Sequence, residues 1–409
     1  MIELEEFKKA SKRLEKVAHK TPLAYAPVLS GKTNYQVYLK KENLQVTGSF
    51  KLRGAFNKIA SLMEKGSVEG VVAASAGNHA QGVALSAKYF NIKATIFMPE
   101  STPLNKVQGV ESFGANVKLM GANYDEAYFH ANEYAKENGL EFVHPFADKD
   151  VIAGQGTIAL EVCEQIKELH NLHTLDAIIV PVGGGGLISG VAIAAKALNP
   201  NIKIIGVAAE GAPAMANSYQ KKQQLNTHSV RTIADGIAVK NTSKMTFDLI
   251  MQYVDDLVTV CDDEIASAIL FLLERQKLLV EGAGAVGVAA LMHNKIDLEA
   301  NSRVCAILSG GNIDVTMLSL IIEKGLVKSA RKMKLRVTLI DKPGALENFS
   351  HLMRIVQANI VQIGYDRTST DLEFGDAHVS VSLETKGREH QEEIRKILTQ
   401  HGYKFLEEH

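Results

Sequence analysis

The hydrophobic positions of this chain change period along its length, and the changes mark its organisation. From about residue 70, short runs of β-branched and small apolar residues alternate with stretches whose apolar positions recur at helical spacing. "GVVAAS" (70–75) precedes "HAQGVALSAKYF", "ATIFMP" precedes "LNKVQGVESFG", and "ANVKLM" precedes "YDEAYFHANEYAKENG". Farther on, "DAIIVPV" (176–182) precedes "LISGVAIAAKAL", "IKIIGVAAE" follows, and "RVCAILS" (303–309) closes the series. Strand and helix patterns in alternation predict α/β layers with largely parallel sheets. The strand runs are apolar at successive positions, as strands covered by helices on both faces require.

After about residue 328 the period switches. "SARKMKLRV" gathers basic residues, and the strands beyond it alternate apolar with polar. Strands are predicted at "KLRVTLID", "IVQIGYDR", "DAHVSVSLET" and "YKFLEE", and helices at "GALENFSHLMRIVQAN" and "REHQEEIRKILTQHG". That order is β-α-β-β-α-β, the split βαβ arrangement. The linker between the two parts is expected at 327–331.

Length and composition narrow the partners. A chain of 409 residues holds two or three domains. A net charge of −1 gives no electrostatic footprint for nucleic acid or an anionic membrane, so a small-molecule partner is expected. The opening "MIELEEFKKASKRLEKVAHK" is charged and helical in pattern rather than a secretory signal or an anchor. No apolar run reaches the roughly 18 residues of a membrane span. Cys163, Cys261 and Cys305 stand far apart in apolar surroundings, which suits free thiols in a cytoplasmic protein.

Three glycine clusters compete as ligand cradles. "EGAGAVGVAA" has G-x-G-x-x-G at Gly282, Gly284 and Gly287, but a dinucleotide site also needs a preceding strand and an acidic residue about 20 positions on. "ASAILFLLERQKLLVE" upstream reads as helix and the next strand ends in Ser309, so a tightly packed small-residue helix is expected. In "PVGGGGLISG", Gly183, Gly184, Gly185 and Gly186 stand between an apolar strand and a helix, where bare N–H groups can converge on an anion. Neither Walker nor dinucleotide spacing fits; Glu210, at the end of the next strand, keeps a nucleotide reading open, and a phosphate monoester held by backbone is favoured. In "SAGNHAQG" the small residues can turn N–H groups toward a carboxylate; equally, Ser75 and Asn78 can simply cap the helix. "LSGGN" places the Ser309 hydroxyl at a strand's carboxyl end, the edge where open α/β sheets bind ligands.

Lys51 lies in "TGSFKLRGA". Gly48 or Ser49 is expected to cap the helix "FKLRGAFNKIASLM", with Leu52, Phe56 and Ile59 on its buried face. Lys51 then falls in the first turn, where the helix dipole disfavours its ammonium form. Arg53 cannot serve as an amine, because a guanidinium stays charged. A solvated surface lysine and a buried amine both remain open on this segment alone.

Taken together, "SFKLRGA", "SAGNHAQG", "AGQGTIALEV", "GGGGLISG", "ADGIAV" and "LSGGN", in this order, closely resemble the pyridoxal-phosphate-dependent threonine dehydratases (threonine ammonia-lyases). These belong to the fold type II, or tryptophan-synthase β-like, group, and the resemblance spans roughly residues 5–320. "DKPGAL" (341–346) makes the C-terminal module similar to an ACT domain. The resemblance implies two α/β subdomains with mostly parallel sheets in a catalytic part at 1–326, the smaller (about 50–145) inserted in the larger. A βαββαβ ACT-like regulatory domain would follow at 332–409.

For the site, the resemblance implies that Lys51 attaches pyridoxal 5'-phosphate and then acts as base on the substrate's α-proton. Phe50 would lie beside the ring, Asn78 would bond the ring hydroxyl, and Ser309 would face the pyridine nitrogen. Gly183, Gly184, Gly185, Gly186 and Leu187 would hold the phosphate, and Ser75, Ala76, Gly77, Asn78 and His79 the substrate carboxylate. The implied reaction is α,β-elimination of water from L-threonine, and more slowly from L-serine, leaving 2-oxobutanoate or pyruvate and ammonia. The implied partners are a hydrophobic amino-acid effector, such as isoleucine or valine, between paired ACT modules of a homodimer or homotetramer. Racemases of the group carry a serine where Ala76 stands, so Lys51 is expected to be the only protein base at the α-carbon. Relatives that bind a cation do so at positions matching Glu210 and Ala214, but Ala216 replaces their aspartate. The competing readings are a serine racemase or serine dehydratase, and an amino-acid sensor with a decayed catalytic half.

Overall fold

The computed structural model describes residues 2–66, 68–170, 172 and 174–408. Contacts divide the chain into two compact units, with the division between Asp314 and Val315. The expected linker at 327–331 falls on the end of the helix Val315–Lys328 and the turn after it, so this helix groups with the second unit. Among the described residues no helix is long and apolar enough to cross a membrane.

The first unit contains two sheets. The larger runs in the order Leu23–Tyr25, Gln36–Lys40, Arg303–Ile307, Ala177–Pro181, Lys203–Ala209, Asp256–Val260. Its first pair is antiparallel and the other four pairings are parallel. The smaller runs in the order Asn116–Leu119, Lys93–Met98, Gly70–Ala74, Glu141–Phe142, all parallel. Ala177–Pro181 and Gly70–Ala74 are buried at every position, as runs without alternation predict.

Four strands escaped the sequence pattern. Leu23–Tyr25 and Glu141–Phe142 are too short to show a period, and Asp256–Val260 is a half-exposed edge strand. Gln36–Lys40 ends in a fully buried lysine, which interrupts the apolar run. Lys40 is tolerated there because its Nζ donates to Thr21 O (2.7 Å), Glu161 Oε2 (2.5 Å) and Gln165 Oε1 (2.9 Å).

Helices Lys51–Lys65, Lys149–His170 and Gly186–Leu198 pack by close backbone approach. A Cβ on Gly154 would stand 2.4 Å from Arg53 O, and one on Gly190 would stand 2.3 Å from Ile152 O. The "EGAGAVGVAA" segment is a buried helix, Gly282–Met292, whose Gly282 and Gly284 sit against Ile233 O and Gly310 O as its small residues predict.

The second unit carries the expected β-α-β-β-α-β order, with strands Lys332–Ile340, Asn359–Asp366, Asp376–Glu384 and Lys404–Glu408 and helices Ala345–Ile355 and Arg388–Gln400. Its antiparallel sheet runs Asn359–Asp366, Asp376–Glu384, Lys332–Ile340, Lys404–Glu408. Met333, Leu335, Val337 and Leu339 alternate inward and pack with Val379, Val381 and the helix residues Phe349, Leu352 and Ile394.

Candidate active site

The carboxyl ends of Gly70–Ala74, Ala177–Pro181 and Arg303–Ile307 open onto one cavity of about 730 Å³, lined by Lys51, Asn78, Ser309 and the tetraglycine loop. That volume lies within the range of small-molecule sites. Four motifs separated by up to 258 residues therefore meet at one place, Lys51 to Ser309 being the widest interval.

The "LSGGN" loop organises one wall. Ser309 O accepts from Phe50 N (3.1 Å), Gly48 O from Gly311 N (2.8 Å), and Ser49 bridges to Gly310. This tertiary anchoring corrects the expected cap. Phe50, not Gly48 or Ser49, precedes the helix Lys51–Lys65, no side chain caps it, and the Ser49 hydroxyl has no partner among the described residues. Gly48 instead turns the chain at φ +71°, where a Cβ would lie 2.4 Å from Asn312 Oδ1.

Lys51 is no solvated helix lysine. Its Nζ donates to Pro145 O (3.0 Å), a carbonyl presented by a turn in which His144 Nδ1 accepts from Phe146 N (3.1 Å) and Ala147 N (2.8 Å). Loss of solvent lowers the Lys51 amine to about 8, against the opposing pull of the Glu281 carboxylate. Burial, assisted by Lys51, lowers His79 to about 3 and His144 to about 4, so both imidazoles are neutral at pH 7.

At the tetraglycine loop, glycine is required by what packs behind it. Cβ atoms on Gly184 and Gly186 would lie 2.4 and 2.8 Å from Phe146 atoms, and one on Gly183 would lie 2.8 Å from Ile237 Cα. Gly185, at φ +89°, turns into the helix Gly186–Leu198. The first bond back into this turn runs from Ser189 N to Gly185 O (3.0 Å), which leaves the N–H groups of Gly186, Leu187 and Ile188 without a helical acceptor.

Asn78 begins the helix Asn78–Tyr89 after Gly77, and Ser75 Oγ accepts from Gly77 N (3.1 Å). Neither Ser75 nor Asn78 caps that helix with its side chain. The Asn78 amide faces a residue the sequence pattern passed over: Nδ2 donates to Glu281 Oε1 and Oε2 (2.9 and 3.0 Å), while Oδ1 accepts from Asn312 Nδ2 (2.8 Å). Glu281 is 4% exposed, and its carboxyl lies against Gly310, where a Cβ would stand 2.4 Å from Oε1. Burial raises Glu281 to about 7, more than Asn78 and Lys51 lower it. The cavity wall thus carries a buried carboxyl that holds a proton near neutral pH. His79 Nε2 donates to Val143 O (2.8 Å), while its Nδ1 is buried without a partner among the described residues. Ala76 brings only a methyl group to the cavity wall.

Glu281 has a measurable consequence for the chain without cofactor. Its unfolded carboxyl ionises near 4.5 and its folded one near 7, so stability falls as pH rises through that window. Glu281→Gln keeps an oxygen for Asn78 and removes the penalty. The variant is expected to be more stable than the parent by on the order of 2 kcal/mol at pH 8, the gain vanishing toward pH 4.5, in thermal midpoints across pH.

Glu210 follows the strand Lys203–Ala209 and is exposed, whereas Ala214 and Ala216 are buried in the first turn of Ala214–Lys221. Among the described residues no group of three or more His, Cys, Asp or Glu gathers there or elsewhere.

A desolvated amine and helix-start N–H groups without a backbone acceptor among the described residues line one cavity at the carboxyl ends of parallel strands, a setting suited to an enzyme that works with a phosphorylated, carbonyl-bearing cofactor. The model of the pyridoxal-phosphate dependent enzymes matches residues 14–310, and the chain belongs to that family. It is similar to the L-threonine ammonia-lyase of Thermotoga maritima, at 49% identity over 98% of each chain. Among solved structures it is similar to the processed form of threonine deaminase isoform 2 from Solanum lycopersicum, at TM-score 0.72 and 38% identity over 78% of this chain and 87% of that one. Maize serine racemase gives TM-score 0.73 and 34% identity over 80% and 98%. The fold is that of a fold type II enzyme, and the cofactor is pyridoxal phosphate. The residues present fit it: N–H groups without a helical acceptor suit the phosphate, and the lowered Lys51 amine suits its aldehyde.

Proposed function

We propose that the chain is a threonine ammonia-lyase, converting L-threonine to 2-oxobutanoate and ammonia, with L-serine as a slower substrate that gives pyruvate. The observation that carries this reading is the Lys51 amine, lowered to about 8 inside the cavity that the glycine cradle closes. The names of the threonine-directed relatives support the choice of substrate.

When bound, the cofactor supplies the electron sink for charge developing at the substrate's α-carbon. Lys51 would attach the cofactor's aldehyde carbon and, once displaced by the substrate amine, take the α-proton. Gly183, Gly184, Gly185, Gly186 and Leu187 would hold the phosphate, with Phe50 beside the ring and Asn78, steadied by Glu281, at the ring hydroxyl. Ser309 would meet the pyridine nitrogen with a neutral hydroxyl, which leaves that nitrogen unprotonated and favours loss of the β-hydroxyl over transamination. Ser75, Ala76, Gly77, Asn78 and His79 would hold the substrate carboxylate at the start of the helix Asn78–Tyr89.

The C-terminal module supports regulation by an ACT-like domain at 332–409, following a catalytic part at 1–326. Its βαββαβ order and the Gly344 turn of "DKPGAL", at φ +84°, favour this reading. Exposed Val361, Ile363 and Tyr365 on the edge strand Asn359–Asp366 suit pairing of two modules around isoleucine or valine, in a cytoplasmic homodimer or homotetramer.

Purified protein is expected to release 2-oxobutanoate and ammonia in equal amounts from L-threonine. Chiral chromatography after incubation with L-serine is expected to show pyruvate and no D-serine, because Ala76 has no proton to give. Cofactor-loaded protein that leaves threonine unchanged would overturn the substrate, and D-serine forming as fast as pyruvate would favour the racemase.

A further inference from the structure

Gln155 is a buried polar side chain for which the site described so far has no use. It is 1% exposed, its Oε1 is enclosed without a hydrogen-bond partner among the described residues, and it lines the cavity together with Lys51, Phe146 and the tetraglycine loop. An unpaired amide destabilises a folded chain, so one kept at a cavity wall points to a partner among the cavity's occupants.

Two backbone contacts fix its place. On one side its helix, Lys149–His170, meets Lys51–Lys65, where a Cβ on Gly154 would come within 2.7 Å of Gly54 Cα. On the other it meets Gly186–Leu198, where a Cβ on Gly190 would lie 2.7 Å from Gly156 N. Gln155 lies between these contacts, its Nε2 so close to Gly54 that a Cβ there would be 2.3 Å away. Gly54 is one turn beyond Lys51 and Gly190 one turn beyond Gly186, so Gln155 sits one helical turn in from the start of both helices, on the wall of the cavity that Lys51 and the tetraglycine loop also line.

That wall is built for an anion and has few other side chains to offer one. The Thr246 hydroxyl, packed behind Gly185, is spent on Gly184 O (2.7 Å). Lys106 and Lys240, which also line the cavity, are paired with Asp235 (3.4 Å) and Asp125 (3.6 Å). Gln155 Oε1 has no hydrogen-bond partner among the described residues, so turning the amide to aim its NH2 at the cavity costs that oxygen no bond.

We propose that Gln155 is a ligand of the cofactor phosphate, its NH2 donating to a phosphate oxygen alongside the N–H groups of the glycine loop. This deepens the functional reading above and rests on its cofactor, not on its substrate.

The test compares pyridoxal 5'-phosphate with pyridoxal, which lacks the phosphate, by equilibrium dialysis and cofactor absorbance on the full-length apo protein. In Gln155→Met, which keeps the length of the side chain, pyridoxal phosphate is expected to bind about 10- to 100-fold more weakly, as loss of a hydrogen bond to a charged group implies. Pyridoxal is expected to bind the variant and the parent equally, and the apo thermal midpoint to be unchanged or raised. Gln155→Glu, which sets a carboxylate against the phosphate, is expected to lose still more, and it carries the same comparison if Gln155→Met does not fold. Unchanged pyridoxal phosphate affinity in the variants would overturn the proposal, as would an equal loss for pyridoxal. Threonine turnover enters none of these measurements, so an error in the substrate leaves the outcome readable.

Discussion

Lys51→Ala is expected to lower threonine turnover by about 10³-fold or more while raising the stability of the apo chain at neutral pH. The first effect follows from deleting both the attachment point of the cofactor and the base for the α-proton, since a positioned base alone contributes about 10²- to 10⁴-fold. The second follows from the sign of the Lys51 shift. Burial lowers the amine from 10.5 to about 8, so the unfolded chain binds the proton more tightly than the folded one between those values. Stability of the parent therefore rises with pH through that window, and the burial penalty is complete below pH 8. Removing the amine relieves the penalty at pH 7, less whatever the small cavity left behind costs. Rates and apo thermal midpoints moving in opposite directions separate lost chemistry from lost folding. A variant that retains the parent's rate would sink the role of Lys51, and a midpoint that drops at pH 7 would show that its burial is not costly.

The parts of this site that were legible in the sequence are those with a local backbone cause. Four glycines between a strand and a helix need a reason to be there, and the packing of Phe146 and Ile237 behind Gly183, Gly184 and Gly186 supplies it. Lys51 was legible as a candidate only, because nothing near it in sequence shows that Pro145 O and the cavity wall will desolvate it. Glu281 was passed over because its partner, Asn78, lies 203 residues away and because the small-residue helix after it drew the reading toward packing. The expected cap at Gly48 or Ser49 failed for a related reason. Capping preferences describe an isolated helix, whereas the bridge from Ser49 to Gly310 and the bond from Phe50 N to Ser309 O fix this one from outside. Gln155 sat in plain view within "AGQGTIALEV", but its setting is made by Gly54 and Gly190, on two other helices.

Arg53→Met is expected to be the most destabilising change near the site, by about 3–5 kcal/mol, although Arg53 does not line the cavity. Arg53 is 1% exposed and Glu42 is fully buried. Arg53 Nε and Nη2 donate to the two Glu42 oxygens (2.8 Å each), and Nη1 and Nη2 donate to Glu161 (2.6 and 3.0 Å). Methionine fills the volume but leaves Glu42 facing Lys40 and Thr21 alone. In the parent, burial raises Glu42, yet Arg53 and Lys40 outweigh it and the net shift is downward. Glu42 therefore contributes stability above its unfolded pKa that is lost as pH falls. Without Arg53 the burial penalty prevails, and the folded variant recovers stability by taking up a proton. The deficit is accordingly expected to be largest at pH 8 and to shrink toward pH 5, in thermal midpoints of the two proteins measured side by side. Arg53→Lys, a point charge unable to bond two carboxylates at once, is expected to fall between them. A deficit independent of pH would mean that lost packing, not the stranded carboxylate, sets the cost. Because Arg53 lies two residues after Lys51 and bonds Glu161 on the helix that carries Gln155, turnover in Arg53→Lys is expected to fall even at temperatures where the variant stays folded.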